Sequence, residues 1–133
     1  MRSVVLADTG PLYAAADPND SFHARSLEEQ ERLEAENLET AVSYATLQEA
    51  YVLILRKLGN VQARSFLEDI VQGAVLIAPM KEDYERAVRR VLRYPDQDIS
   101  LADAVNAEVC ERFGVPVWTY DHHFDVMGTH VWR

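Results

Sequence analysis

Four acidic residues stand where carboxylates can do chemistry. Asp8 follows the apolar run Ser3 to Ala7, and Asp121 follows Val115 to Tyr120. Glu49 lies about one turn into a helical segment that begins at Tyr44, and Asp103 falls in the first turn of another that begins at Leu101, where the helix dipole favours negative charge. In open parallel sheets ligands collect beyond the carboxyl ends of the strands, so acids placed this way can meet at one edge. Mg²⁺ or Mn²⁺ prefers hard carboxylate oxygens, and paired ions about 3.5–4 Å apart can activate a water and stabilise the leaving oxygen in phosphodiester cleavage. Scattered acids converging on one pocket fit that need.

Each acid taken singly has a plainer explanation. Ser100-Leu101-Ala102-Asp103 matches a capping box, and Thr46-Leu47-Gln48-Glu49 has the same spacing. Asp8 and Asp121 are also ordinary turn residues after strands. Two details favour a shared site. Glu49 sits among Leu47, Ala50, Val52 and Leu53, where a buried carboxylate needs a proton, a cation or a metal. Asp103 edges the stripe formed by Ala102, Val105, Val109 and Phe113, so it should point out at the boundary of the core.

The elements that would position these acids alternate. Strands are expected at Ser3 to Ala7, Thr40 to Ser43, Ala74 to Ala78 and Val115 to Tyr120, with Val131 to Trp132 as a last short one. Helices are expected from Pro11 to Ala16, from Phe22 to about Asn37 behind a Ser21 cap, and from Tyr44 to Leu58 before Gly59. Others follow at Val61 to Val71, Lys81 to Arg93 and Leu101 to Phe113, and Asp121 to Asp125 reads as a loop or helical turn. Strands separated by helices imply an α/β fold, a parallel sheet of about four to five strands with helices on both faces. Residues 1–133 read as one domain, with no repeat or linker.

Composition is consistent with this reading. The 133 residues are 48% hydrophobic and 26% charged, as in an ordinary globular protein. Cys110 is the single cysteine, which excludes an internal disulfide and fits a reducing compartment. No run suits a signal-peptide core or a membrane span, so a cytoplasmic setting is expected. The net charge of −9 opposes polyphosphate binding, but Glu28, Glu29, Glu31, Glu34, Glu36 and Glu39 crowd into one short stretch. Net charge conceals that distribution.

Four segments carry a family resemblance: Val4-Val5-Leu6-Ala7-Asp8-Thr9-Gly10-Pro11-Leu12, Leu47-Gln48-Glu49, Asp98-Ile99-Ser100-Leu101-Ala102-Asp103-Ala104 and Val117-Trp118-Thr119-Tyr120-Asp121. In that order, and over nearly the whole chain, they resemble the PIN domains, especially the VapC-type toxins of toxin-antitoxin systems. The resemblance implies Mg²⁺- or Mn²⁺-dependent cleavage of RNA, frequent homodimers, and inhibition by a cognate antitoxin protein. Asp8, Glu49 and Asp103 match the family's three most regular acids and Asp121 the fourth, with Asp125 close enough to compete. Thr9 and Ser100 match its hydroxyl neighbours of the site.

Weaker features have plainer readings. Arg86, Arg89, Arg90 and Arg93 could track phosphates, but Glu82 and Glu85 stand four residues before Arg86 and Arg89, and a salt-bridged face is the favoured reading. His122 and His123 suggest zinc, yet adjacent residues do not generally converge on one ion. Tyr13, Tyr44 and Tyr51 belong to the core or a dimer surface. An aspartyl phosphatase would place a second Asp two positions after Asp8, where Gly10 stands; a response-regulator receiver needs a late lysine, and only Lys57 and Lys81 exist. A PIN-like module that binds protein or RNA without cutting is the alternative.

Overall fold

The side chains of the first strand alternate between two cores, and that alternation sets the architecture. The computed structural model describes residues 3–133; Met1 and Arg2, which the single-domain reading includes, lie outside the described residues. In chain order the elements are β1 (Ser3–Ala7), α1 (Thr9–Ala16), α2 (His23–Ala35), β2 (Leu38–Ser43), α3 (Tyr44–Leu58) and α4 (Asn60–Gly73). Then come β3 (Val75–Ile77), α5 (Lys81–Leu92), α6 (Leu101–Phe113), β4 (Val117–Trp118) and α7 (His123–Val126). Val5 and Ala7 pack with Leu12, Ile54 and Trp118 on one face, while Leu6 packs with Val105, Val109 and Phe124 on the other.

The described strands form one parallel sheet in the order β3-β2-β1-β4. This is the expected α/β arrangement. Val131 adds a single parallel bridge to Val117, which is all that the structure makes of the short last strand. β4 is also shorter than the expected Val115 to Tyr120. Pro116 has no N–H for the ladder, and after Trp118 the chain turns away through Thr119, whose hydroxyl accepts from the Asp121 N–H at 2.9 Å.

Two helix starts differ from expectation. α1 begins at Thr9 rather than at Pro11, which the first turn tolerates because its N–H groups have no helical partner anyway. α2 is held at its start by Asp20, whose carboxylate accepts the Phe22 N–H at 2.9 Å, and not by Ser21. Gly59 closes α3 at φ +94°, a conformation that favours glycine. No described helix is long and apolar enough to cross a membrane.

The arginine face of α5 departs from the salt-bridged reading. Glu85 pairs with Lys81 at 3.8 Å, and the expected pairs with Arg86 and Arg89 are not formed. Arg90 is buried, holding Glu108 at 2.5 Å and Glu111 at 2.7 Å, and donating to the Met127 carbonyl at 3.3 Å. It ties α5 to α6 and to the end of α7.

Candidate active site

The carboxyl edge of β1 and β4 is where the sequence places its acids, and hydrogen bonding fixes them there. The Asp8 N–H donates to the Trp118 carbonyl at 2.9 Å, which sets the end of β1 beside the chain leaving β4. Thr119 then donates its hydroxyl to Asp8 Oδ2 at 2.8 Å while accepting from the Asp121 N–H. One hydroxyl thus positions two acids. On the opposite side Thr9 donates to Glu49 Oε1 at 2.6 Å, linking the start of α1 to α3.

Beneath the acids lies a buried polar clamp. Ser43 donates to Asn106 Oδ1 at 2.7 Å, and Asn106 Nδ2 donates to Thr46 Oγ1 at 2.6 Å. Thr46 is three residues before Glu49 and Asn106 three after Asp103, so the clamp fixes α3 against α6 about one turn along each helix from its acid. The capping explanations resolve differently. Ser43, not Thr46, caps α3, which leaves the Glu49 carboxylate free of that task. Ser100 does accept the Asp103 N–H at 3.0 Å, but the Asp103 carboxyl turns to Asp8 and Asp121.

Asp8, Glu49, Asp103 and Asp121 line one cavity of about 290 Å³, together with Thr9, Gly10, Asp98 and Ser100. Asp8 and Asp103 form its buried floor, whereas Glu49 and Asp121 are half-buried at the rim. Asp103 is pushed up to about 9, first by burial and then by the negative charges of Asp8, Asp121 and Glu49. Burial also raises Asp8, against the opposing hydrogen bonds from Thr119 and the Thr9 N–H. Asp121 is lowered: burial pushes it up, but the His123 N–H and Asp103 donate to it and outweigh that. Burial and neighbouring charge therefore favour a shared proton on the Asp8–Asp103 pair, beside the ionised Asp121.

The sequence matches the PIN domain family over residues 5–129. The chain is a PIN-domain protein. Its fold is similar to that of VapC20 from Mycobacterium tuberculosis, described as a sarcin-ricin loop cleaving toxin, with a TM-score of 0.84 at 20% identity over 98% of this chain and 99% of that one. VapBC2 from Rickettsia felis, bound to a promoter DNA fragment, gives 0.76 at 14% identity over 98% and 97% of the two chains. DNA-bound VapBC from Salmonella typhimurium gives 0.72 at 13% identity over 98% and 96%. At these identities the likeness is one of fold. No curated protein sequence matches the chain.

Of the two acids that compete for the fourth position in this PIN domain, Asp121 lines the cavity. Asp125 is exposed on α7 and pairs with Arg133 at 2.9 Å, outside the cavity. Sequence reasoning missed Thr119, Asn106 and the cavity-lining Asp98. A signal for two of them existed: a hydroxyl two residues before Asp121, and a polar Asn one turn after Asp103 on an apolar face.

The separation of His122 from His123 by adjacency does not hold. The helical turn entering α7 brings donor atoms of Asp121, His122 and His123 within 4.8 Å of one another. His123 Nδ1 lies 2.8 Å from Asp121 Oδ1, an ion-pair distance without hydrogen-bond geometry, and it is buried with no other polar partner. The four carboxylates remain the richer oxygen donor set. Their burial and mutual repulsion, which together push Asp103 up to about 9, are compensated by protons or by a hard divalent cation, so the residues fit such an ion.

Proposed function

We propose that this PIN domain is a metal-dependent endoribonuclease acting as the toxin of a toxin-antitoxin pair, with Mg²⁺ or Mn²⁺ as its cofactor. The observation that carries the reading is the convergence of Asp8, Glu49, Asp103 and Asp121 in one cavity, with Asp103 pushed up to about 9 by burial and then by its acidic neighbours. Similarity of fold to a ribonucleolytic toxin and to two VapBC complexes supports RNA as substrate and an antitoxin as partner.

The metal, when bound, supplies neutralisation of phosphate charge and activation of water. Asp8 and Asp103, buried at the floor, would be its principal ligands, and Thr119 holds Asp8 in its orientation. Glu49 and Asp121 complete the set from the rim. Thr9 fixes Glu49 by one hydrogen bond, and the His123 N–H fixes Asp121 by another at 2.9 Å. Asp121 is ionised and partly exposed, so it is placed to accept the proton of an attacking water. A cation held by Asp8 and Asp103 would compete with the proton that burial keeps on this pair.

The test is cleavage of a mixed RNA pool by purified protein in Mg²⁺ or Mn²⁺. Asp8→Asn should lower the rate at least about a hundredfold while the far-UV circular dichroism stays that of the parent. Cleavage by a contaminant-free Asp8→Asn protein at the parent rate would remove the assignment.

A further inference from the structure

Beside the acidic cavity lies an aromatic cluster that the catalytic residues do not use. Gly10 lines the cavity, and a side chain there would meet Tyr120 Cδ2 at 3.6 Å, so the Tyr120 ring stands directly behind the cavity wall. The Phe22 ring packs against Tyr120 at 4.8 Å between centroids, and the Arg25 guanidinium lies 4.4 Å from the Tyr120 centroid and 5.7 Å from that of Phe22. Two rings and one guanidinium are therefore in mutual contact next to the cavity wall.

This cluster is rigid yet open. Tyr120 is fixed by donating its hydroxyl to Glu29 at 2.5 Å, and Phe22 by its N–H to Asp20 and its carbonyl to the Ser26 N–H at 2.8 Å. Ser26 is itself buried and donates to the Pro11 carbonyl at 2.9 Å, anchoring α2 to α1. Despite that anchoring Phe22 keeps 42% of its surface in solvent. The Phe22 ring, packed against Tyr120, therefore keeps part of its surface open beside the cavity. Unpaired bases of RNA stack on such rings and on arginine planes, and every base offers a π-face.

We propose that Phe22, Tyr120 and Arg25 form a stacking subsite for one unpaired nucleobase next to the phosphate held in the acidic cavity. The proposal rests on the ribonuclease reading and narrows its substrate to single-stranded or looped RNA. The occupant is a base rather than an acidic peptide, because Arg25 is already engaged with Glu29 at 3.5 Å and the neighbouring cavity is itself acidic. Stacking needs little net positive charge.

The test separates binding from turnover. A short single-stranded oligoribonucleotide carrying one 2-aminopurine is titrated into the Asp8→Asn protein, where stacking quenches the fluorescence. Phe22→Ala in that background should weaken binding about tenfold and remove the quench, and Phe22→Trp should restore both. In the cleaving protein Phe22→Ala should raise KM about tenfold on single-stranded RNA and leave kcat near the parent value. Unchanged affinity and quench in Phe22→Ala overturn the subsite, and so does a loss that Phe22→Trp fails to rescue. Weaker capture of a protein partner by Phe22→Ala, with RNA binding intact, overturns it too. Quenching by the parent without cleavage of any RNA would sink the ribonuclease reading while the base subsite stands.

Discussion

Replacing Asp103 with asparagine exchanges a carboxyl that must hold a proton for a group that is neutral at every pH, keeps the shape of the side chain and retains a donor toward Asp8 and Asp121. The folded protein holds the Asp103 proton up to about pH 9, whereas the unfolded chain releases it near 3.8. A folded-state value above the unfolded one means that stability is fully present below 3.8 and is lost as pH rises toward 9, at up to ~1.4 kcal/mol per pH unit. Between pH 5.5 and 8 this amounts to an upper figure of about 3 kcal/mol, or a melting shift of about 10 °C in a chain of this length. Asp8, raised in the same direction and tied to Asp103, shares that loss and lowers the figure for either one alone. Asp103→Asn should therefore melt above the parent in chelator at pH 8, with the gap narrowing toward pH 5.5. It should also lose most of the rise in melting temperature that Mn²⁺ gives the parent, since a ligand that binds only the folded state stabilises in proportion to its occupancy. The measurement is thermal unfolding by circular dichroism at the two pH values, with chelator or Mn²⁺. A helix-cap role predicts a modest, pH-independent destabilisation and an intact Mn²⁺ response; that outcome would refute the crowded-carboxylate reasoning.

Thr119→Val removes the hydroxyl that orients both Asp8 and Asp121 while keeping the side-chain shape. It should weaken Mn²⁺ binding about 10- to 100-fold by calorimetry, and an affinity equal to the parent's would show that Thr119 does not orient the site. Because the cation must displace a proton held to about pH 9, the apparent Mn²⁺ affinity of the parent should rise with pH between 6 and 8.5. The limit is about tenfold per unit for one proton, and a pH-independent affinity would contradict the protonated floor. Tyr44, Val52 and Leu55 lie along one exposed stripe of α3, which we propose as a homodimer surface. Light scattering at micromolar concentration should give a dimer that Val52→Glu converts to monomer; a monomeric parent would dispose of the idea.

The parts of the fold legible from sequence are those governed by short-range rules. β1 ends where Gly10 and Pro11 punctuate the chain, α3 ends at Gly59, and the alternation of strand and helix fixes a parallel sheet whose carboxyl edge gathers the acids. What escaped depends on partners distant in sequence. Arg90 sits in register with Arg86 and Arg93 on a helix that looks solvated, yet it is buried because Glu108, 18 residues on, meets it across the α5–α6 contact. Thr119 resembles one more β-branched strand residue; its local bond to the Asp121 N–H has a sequence signal, whereas its bond to Asp8 spans 111 residues and has none.

The same distinction explains why the two capping boxes gave different outcomes. At Glu49 the competing cap, Ser43, lies at the strand end and is locked there by Asn106 of α6, so the box spacing from Thr46 is incidental. At Asp103 the local cap and the site coexist, because Ser100 needs only the backbone N–H and leaves the carboxyl free for Asp8 and Asp121. A helix start can satisfy its own N–H and still present a carboxylate to a cavity. Since Ser43, the cap of α3, and Thr46 both bond Asn106 of α6, about one turn along each helix from its acid, the spacing of Glu49 and Asp103 is set by the packing of α3 on α6, with the α3 cap part of that contact.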